Sequence, residues 1–164
     1  GVVIAGLDLI LARDGEGEGA EAADAMDLYG TARFFERTGD AETSVRYYER
    51  ALRGGLSRET AAAARLRLSA HFKRAKDFGR AVALWSEMSE ARQLASFREL
   101  AIHYEHRVKD FAKALVLAEE GLALAGREAS DFFRADFGHR IERLRAKLAK
   151  TAGSTPPPAQ GRTK

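Results

Sequence analysis

Cysteine and asparagine are absent from this sequence of 164 residues, and its three prolines all stand at positions 156–158. Without cysteine the chain can form no disulfide framework, thiolate zinc site, iron–sulfur cluster or cysteine nucleophile, and a reducing, cytoplasmic location is expected. Because no proline interrupts the first 155 residues, the sequence indicates an all-helical chain. A chain of this size can remove roughly 70% of its unfolded surface from water, which predicts one cooperative core.

Long apolar runs are also missing. No stretch reaches the roughly 18 to 20 apolar residues that a membrane span requires, so we expect no membrane partner. Residues 1–12 are apolar, but Asp8 interrupts them and no cationic segment precedes them, which fits a signal peptide poorly. Because the chain begins with Gly1, we interpret residues 1–13 as an apolar helix or the remnant of an upstream domain.

Two further segments lack the apolar residues that build a core. Residues 14–19 mix glycine with acid and predict a flexible linker. Residues 151–164 hold every proline and predict a disordered tail. The helical region is therefore predicted over residues 20–150.

Net charge is small, at a formal +3, which does not by itself indicate a nucleic-acid partner. Its distribution is uneven, with −6 in residues 1–50, +5 in residues 51–100 and +4 in residues 101–164. We therefore expect a surface with an acidic and a basic part.

A repeat of about 32 residues organises the helical region. Residues 68–78 correspond to residues 100–111, and their separation rises from 32 to 33 because the later copy has one extra residue near Arg107 and Val108. An earlier copy starts at Leu28. Each copy predicts a helix, a short turn ending in an aspartate, and a second helix. The aspartates predicted to cap the second helices are Asp40, Asp77 and Asp110.

Small and aromatic residues recur at fixed positions of each copy. The small positions hold Ala32, Ser44, Ser69, Ala81, Ala101 and Ala114, and the aromatic positions hold Phe35, Tyr48, Phe72, Trp85 and Tyr104. Ala118 stands where the third copy should carry an aromatic. The pattern resembles the tetratricopeptide repeat, in which small residues allow helices to cross closely.

The resemblance implies an all-α fold: a right-handed α-α solenoid of about three helix pairs. A capping helix of roughly residues 132–150 should follow. Its apolar stripe is formed by Phe137, Ile141, Leu144 and Leu148.

Residues 100–109, with Phe111 and Ala114, and residues 139–148 resemble the C-terminal part of the YprB-like bacterial proteins. The resemblance covers about residues 28–150. In that family an RNase H-like, exonuclease-type domain precedes tetratricopeptide-like helices. The resemblance therefore implies that a longer, metal-dependent nuclease is the parent of this chain.

Asp8 matches the last acidic position of such a nuclease domain in appearance. The histidine and asparagine expected just upstream are missing, because Ile4, Ala5 and Gly6 stand there. The other carboxylates of the metal site would lie before residue 1. We therefore expect this chain to be noncatalytic and to bind no cofactor.

His103, Glu105 and His106 are candidate metal ligands, but their spacing does not match the helical zinc-protease motif and no third ligand is apparent. We therefore predict no metal site. Glu105 and His106 fall on the side of a first helix that lines the concave groove in such repeats. That position favours a polar partner contact or a contact between repeats.

The predicted groove residues share that side of the first helices. They are Tyr29, Arg33, Arg37, Leu66, Lys73, Arg74, Arg98, Ile102, Glu105 and His106. Their mixture of apolar and basic groups suits an acidic or extended peptide, or a phosphate backbone, and an ordinary solvated helix face accounts for it too. Because the chain has no asparagine, the arginine clamp for a peptide carboxylate is disfavoured.

A basic row follows the apolar stripe of the last helix, and it consists of Arg140, Arg143, Lys147 and Lys150. Such a row suits contact with nucleic acid, and solubility of an exposed helix explains it equally well. The sequence thus predicts a noncatalytic helical-repeat scaffold, as the C-terminal accessory module of an RNase H-like exonuclease-type protein. The alternative is a free-standing adaptor that binds a partner protein or peptide in its groove.

Overall fold

A computed structural model describes residues 24–153. The segments predicted over residues 1–13 and 14–19 lie outside the described residues, as does the predicted tail beyond residue 153. The helices are α1 (Ala25–Thr38), α2 (Ala41–Arg53), α3 (Arg58–Arg74), α4 (Phe78–Glu90), α5 (Leu94–His103), α6 (Phe111–Arg127) and α7 (Asp131–Gly153). A π-helical turn, Tyr104–Val108, continues α5. No strand occurs in residues 24–153, so the predicted all-α class is confirmed.

The described chain divides into two compact units, one ending at Leu84 and the other beginning at Trp85. The first unit contains α1, α2, α3 and the start of α4. The second contains the rest of α4 and all later helices. The one cooperative core that chain length predicted stays a prediction.

The turn between the paired helices is the same in all three copies. The residue before each aspartate has a left-handed backbone, with φ of 86° at Gly39, 61° at Lys76 and 63° at Lys109. The aspartate that follows then caps the next helix through its side chain. Asp40 accepts from the Thr43 N–H at 3.0 Å, Asp77 from the Arg80 N–H at 3.2 Å and Asp110 from the Lys113 N–H at 2.9 Å. The three predicted caps are confirmed.

The predicted small positions lie at the helix crossings. All six are at most 1% exposed. In the first pair the Ser44 hydroxyl donates to the Ala32 carbonyl at 3.0 Å, which joins the small position of α2 to that of α1. Among the aromatic positions, Tyr48 and Trp85 are fully buried. The tetratricopeptide-like packing is confirmed at these positions.

A residue of α7 packs against the third helix pair, in which Ala118 stands where an aromatic was expected. Phe137 is fully buried, and its ring covers Gly121 one turn after Ala118. A Cβ added at Gly121 would lie 2.7 Å from Cε1 and from Cε2 of that ring. Phe137 therefore occupies the space that a side chain at Gly121 would need, in the same apolar cluster as Ala118.

The capping helix was predicted over residues 132–150 and spans Asp131–Gly153. Phe137, Ile141 and Leu144 of its predicted stripe are buried in one apolar cluster with residues of α5 and α6. None of the helices within residues 24–153 combines the length and apolar character needed to cross a bilayer.

Candidate functional site

Glu105 lies in the π-helical turn that follows α5, and its side chain has no solvent exposure. The extra residue of the third copy falls in this turn, near Arg107 and Val108. A π turn holds one residue more than an α turn and shifts the direction of the side chains on it. The Glu105 carboxylate lies against α7.

Three cations of α7 bind this carboxylate: Arg140, Arg143 and Lys147. They share one face of the helix because they are spaced three and four residues apart. Arg140 Nη1 donates to Oε2 at 2.8 Å. Arg143 donates twice, from Nε to Oε1 and from Nη2 to Oε2, each at 2.8 Å. Lys147 Nζ donates to Oε1 at 2.7 Å. We call Glu105 and these three cations the Glu105 cluster.

One cation of the Glu105 cluster, Arg140, is buried. The other two, Arg143 and Lys147, are half-exposed and form what we call the rim of the cluster. The Arg140 side chain is only 8% exposed, whereas Arg143 is 47% and Lys147 34% exposed. One negative charge thus faces three positive ones. Glu105 accepts from two of the five N–H groups of Arg143 and from one of the three of Lys147, so further donors remain on both cations.

The protonation state of the cluster is fixed by these bonds. Burial by itself raises the pKa of Glu105, but hydrogen bonds from Arg143 and Lys147 and the adjacent positive charges lower it to about 2. The bond to Glu105 in turn raises the pKa of Arg143. The carboxylate is therefore ionised at every physiological pH.

Two further titratable side chains, Asp136 and His106, lie next to the cluster. Asp136 Oδ2 lies 3.7 Å from Arg140 Nη2 and 3.3 Å from Arg98 Nε. His106 Nε2 lies 3.5 Å from Glu105 Oε2, and its side chain is 54% exposed. The exposed edge of the cluster therefore carries an imidazole beside the two rim cations.

A related arrangement occurs in the first unit around Glu36 of α1. Its carboxylate accepts from the Tyr48 hydroxyl at 2.7 Å and from Arg67 Nη1 at 3.0 Å, and His71 Nε2 lies 3.6 Å from it. Burial and the bond to Glu36 raise the pKa of Tyr48. Burial lowers the pKa of His71, which favours a neutral imidazole at pH 7.

Predicted groove residues of the first unit lie on α1 and α3. Arg37, Lys73 and Arg74 are exposed, and Leu66 is 40% exposed. Arg33 is half-buried, and its Nε has no hydrogen-bond partner in the described part of the chain.

The structure separates the predicted contact residues of the second unit into buried and accessible groups. Glu105 makes a contact between repeats, and its buried carboxylate leaves no surface for a partner. Arg98 pairs with Glu99 and Asp136. In the predicted nucleic-acid row Arg140 is buried and Lys150 exposed. Within residues 24–153 no group of three or more metal-ligating side chains could hold an ion.

Sequence reasoning named Glu105 and the basic row of α7 separately and missed that they form one cluster. The signal that could have linked them is the acid that directly follows the aromatic residue of a first helix in two copies, Glu36 and Glu105.

Comparison with solved structures supports the fold class. One is described as the MamA RS-1 ArsTM double mutant, with a TM-score of 0.52 and 16% identity, covering 87% of this chain and 83% of that chain. Another is BtubC (BKLC) from P. vanneervenii, with a TM-score of 0.51 and 20% identity, covering 85% of this chain and 69% of that chain. These neighbours place the chain in the all-α helical-repeat class.

No protein-family model matches the chain. In sequence it is similar to the Uncharacterized protein YprB of Bacillus subtilis (strain 168), with 32% identity over 101 residues. The match covers 59% of this chain and 24% of the relative, so the chain spans about a quarter of that protein's length.

Proposed function

We propose that this chain is a noncatalytic helical-repeat module that mediates macromolecular contacts as the C-terminal accessory part of a longer, RNase H-like exonuclease-type protein. The observation that carries the proposal is the 101-residue similarity to YprB, which occupies only 24% of that relative. The all-α repeat fold supports the scaffold role, since stacked helix pairs present extended surfaces to partners.

The upstream genomic reading frame tests the link to a nuclease. We expect it to continue before Gly1 and to encode a domain rich in clustered carboxylates. A stop codon there, with no such domain, would contradict the accessory role and leave the scaffold role standing.

Activity of the isolated chain tests the noncatalytic part. We expect no cleavage of labelled single- or double-stranded DNA in the presence of Mg²⁺ or Mn²⁺. Metal-dependent cleavage that disappears in Asp8→Ala would contradict it, because Asp8 is the residue that resembles a nuclease carboxylate.

The alternative is a free-standing adaptor that binds a partner peptide on the first unit. It is favoured by the exposed cations Arg37, Lys73 and Arg74 on α1 and α3, and by the half-exposed Leu66 on α3. A fluorescein-labelled peptide of alternating Glu and Leu is a suitable probe. Binding that weakens in Arg37→Glu and Arg74→Glu would support the adaptor, with Arg46→Glu on α2 as the matched control. Equal weakening in all three would indicate attraction by net charge alone.

A further inference from the structure

The rim of the Glu105 cluster holds its cations in fixed positions. Arg143 is anchored by two hydrogen bonds and Lys147 by one, all to a carboxylate with no solvent exposure. An exposed arginine or lysine loses considerable side-chain entropy when it orders around a ligand. Here that ordering has already occurred, so an anion would meet preorganised donors.

Charge at this rim favours an anionic ligand. Arg140, Arg143 and Lys147 outnumber the single carboxylate they share, and His106 adds a half-exposed imidazole beside them. Asp136 lies 3.7 Å from the buried Arg140 and also acts on Arg143, whose pKa it helps to raise, but within residues 24–153 it forms no ion pair with Lys147. Between residues 139 and 150 the only acidic residue of α7 is Glu142.

The arrangement of the cations along α7 distinguishes a polyphosphate chain from a single carboxylate. Arg143, Lys147 and Lys150 recur at intervals of four and three residues along one helix face, which at 1.5 Å per residue spans about 10 Å. A regularly charged backbone can follow such a row without a side-chain pocket. Arginine clusters also bind acidic peptide motifs, so labelled poly-glutamate is the competing probe. An open pocket of this unit is lined by Phe97, Glu120 and Arg127 among others, and it includes none of the rim residues.

We propose that Arg143 and Lys147, with His106 beside them, bind phosphate groups of a nucleic-acid strand that lies along α7. Glu105 is a positioning residue of this site, because it orients both cations without reaching the surface. This inference names a ligand for the proposed contact role. It rests on one part of that proposal, namely that the module binds a macromolecule.

Fluorescence anisotropy of a labelled 20-nucleotide single strand and of its duplex, at stepped NaCl concentrations, tests this site. We expect Arg143→Ala and Lys147→Ala each to weaken binding by about fivefold at low salt, and each to lower the slope of log K against log salt by about one. Arg145→Ala is the matched control: it removes an arginine from the same helix, two residues away, that pairs with Glu119 at 2.8 Å. We expect it to change binding less than twofold.

Circular dichroism of each variant at the assay temperature checks that helix content is kept. Lys147→Ala removes only one hydrogen bond to Glu105, so it still tests the site if Arg143→Ala does not fold. Equal weakening by Arg145→Ala would overturn the site in favour of net charge. Absence of binding by the unmodified chain at 50 mM NaCl would overturn it as well. Tighter binding of labelled poly-glutamate than of nucleic acid would assign the rim to an acidic protein instead. These results leave the accessory role to be judged by the upstream reading frame.

Discussion

Arg140 Nη1 donates a hydrogen bond to Glu105 Oε2 at 2.8 Å across 35 residues of chain. The same separation recurs in the first unit, where His71 Nε2 lies 3.6 Å from Glu36 Oε1. Glu36 and Glu105 each follow the aromatic residue of a first helix. In both units, an acid at this repeat position thus lies close to a basic residue of the helix that begins the following repeat. In the second unit, α7 occupies the position of that helix.

Removal of the Glu105 carboxylate is the first test of how α7 is held. We expect Glu105→Ala to lower the free energy of unfolding by about 3 kcal/mol, because it removes the hydrogen-bonded carboxylate of the buried Arg140 and leaves it only Asp136, at 3.7 Å. Urea unfolding followed by fluorescence of Trp85, which lies in the same unit, measures the effect. Glu119→Gln breaks an exposed pair with Arg145 and is the control, with an expected loss below about 1 kcal/mol. A loss below 1 kcal/mol in Glu105→Ala as well would show that apolar contacts alone hold α7.

Acid should weaken the second unit in a defined pH range. The pKa of Glu105 falls from 4.5 to about 2 on folding, so the unfolded chain binds the proton more tightly than the folded one. The stabilisation is complete above pH 4.5 and is lost as pH falls toward 2, to a total of about 3 kcal/mol. Urea midpoints measured between pH 6 and pH 2.5 report this loss. The Glu105→Gln variant should show a flatter profile below pH 4.5, and parallel profiles would contradict the assignment.

Gly121 and Gly126 offer a matched pair on α6. We expect Gly121→Ala to cost about 1 to 3 kcal/mol, because the new methyl group would lie 2.7 Å from two ring atoms of Phe137. No atom lies within 4 Å of a Cβ added at Gly126. Gly126→Ala should therefore stabilise the helix by up to about 1 kcal/mol. Thermal unfolding of the two variants checks the contrast, and equal effects would mean that Phe137 moves aside at no cost.

Much of the fold was predictable because repeat packing depends on residue size at fixed positions. Ala32 and Ser44 could be assigned to a helix crossing from spacing alone, and the hydrogen bond between them lies at that crossing. The role of Phe137 could be predicted only as part of an apolar stripe. Its place over Gly121 depends on the angle at which α7 meets α6, which no local pattern encodes.

The candidate site was predicted less completely for a related reason. Helical spacing identified Arg143 and Lys147 as a basic row. Their common partner, Glu105, comes from a turn 38 to 42 residues earlier in the chain. Sequence spacing alone does not show which later helix packs against that turn, so the pairing could not be predicted from either segment by itself.

The left-handed turn residues provide the last prediction. Lys76 has φ of 61°, a conformation that costs a residue with a Cβ about 1 kcal/mol. The turn is nevertheless kept, because it lets the Asp77 N–H donate to the Phe72 carbonyl at 2.9 Å. We expect Lys76→Gly to unfold at a higher urea concentration than Lys76→Ala, by about 0.5 to 1 kcal/mol in free energy. Both variants lose the same lysine side chain, so only the Cβ differs. Circular dichroism at 222 nm follows the transition, and a glycine variant no more stable than the alanine variant would show that the turn is not strained.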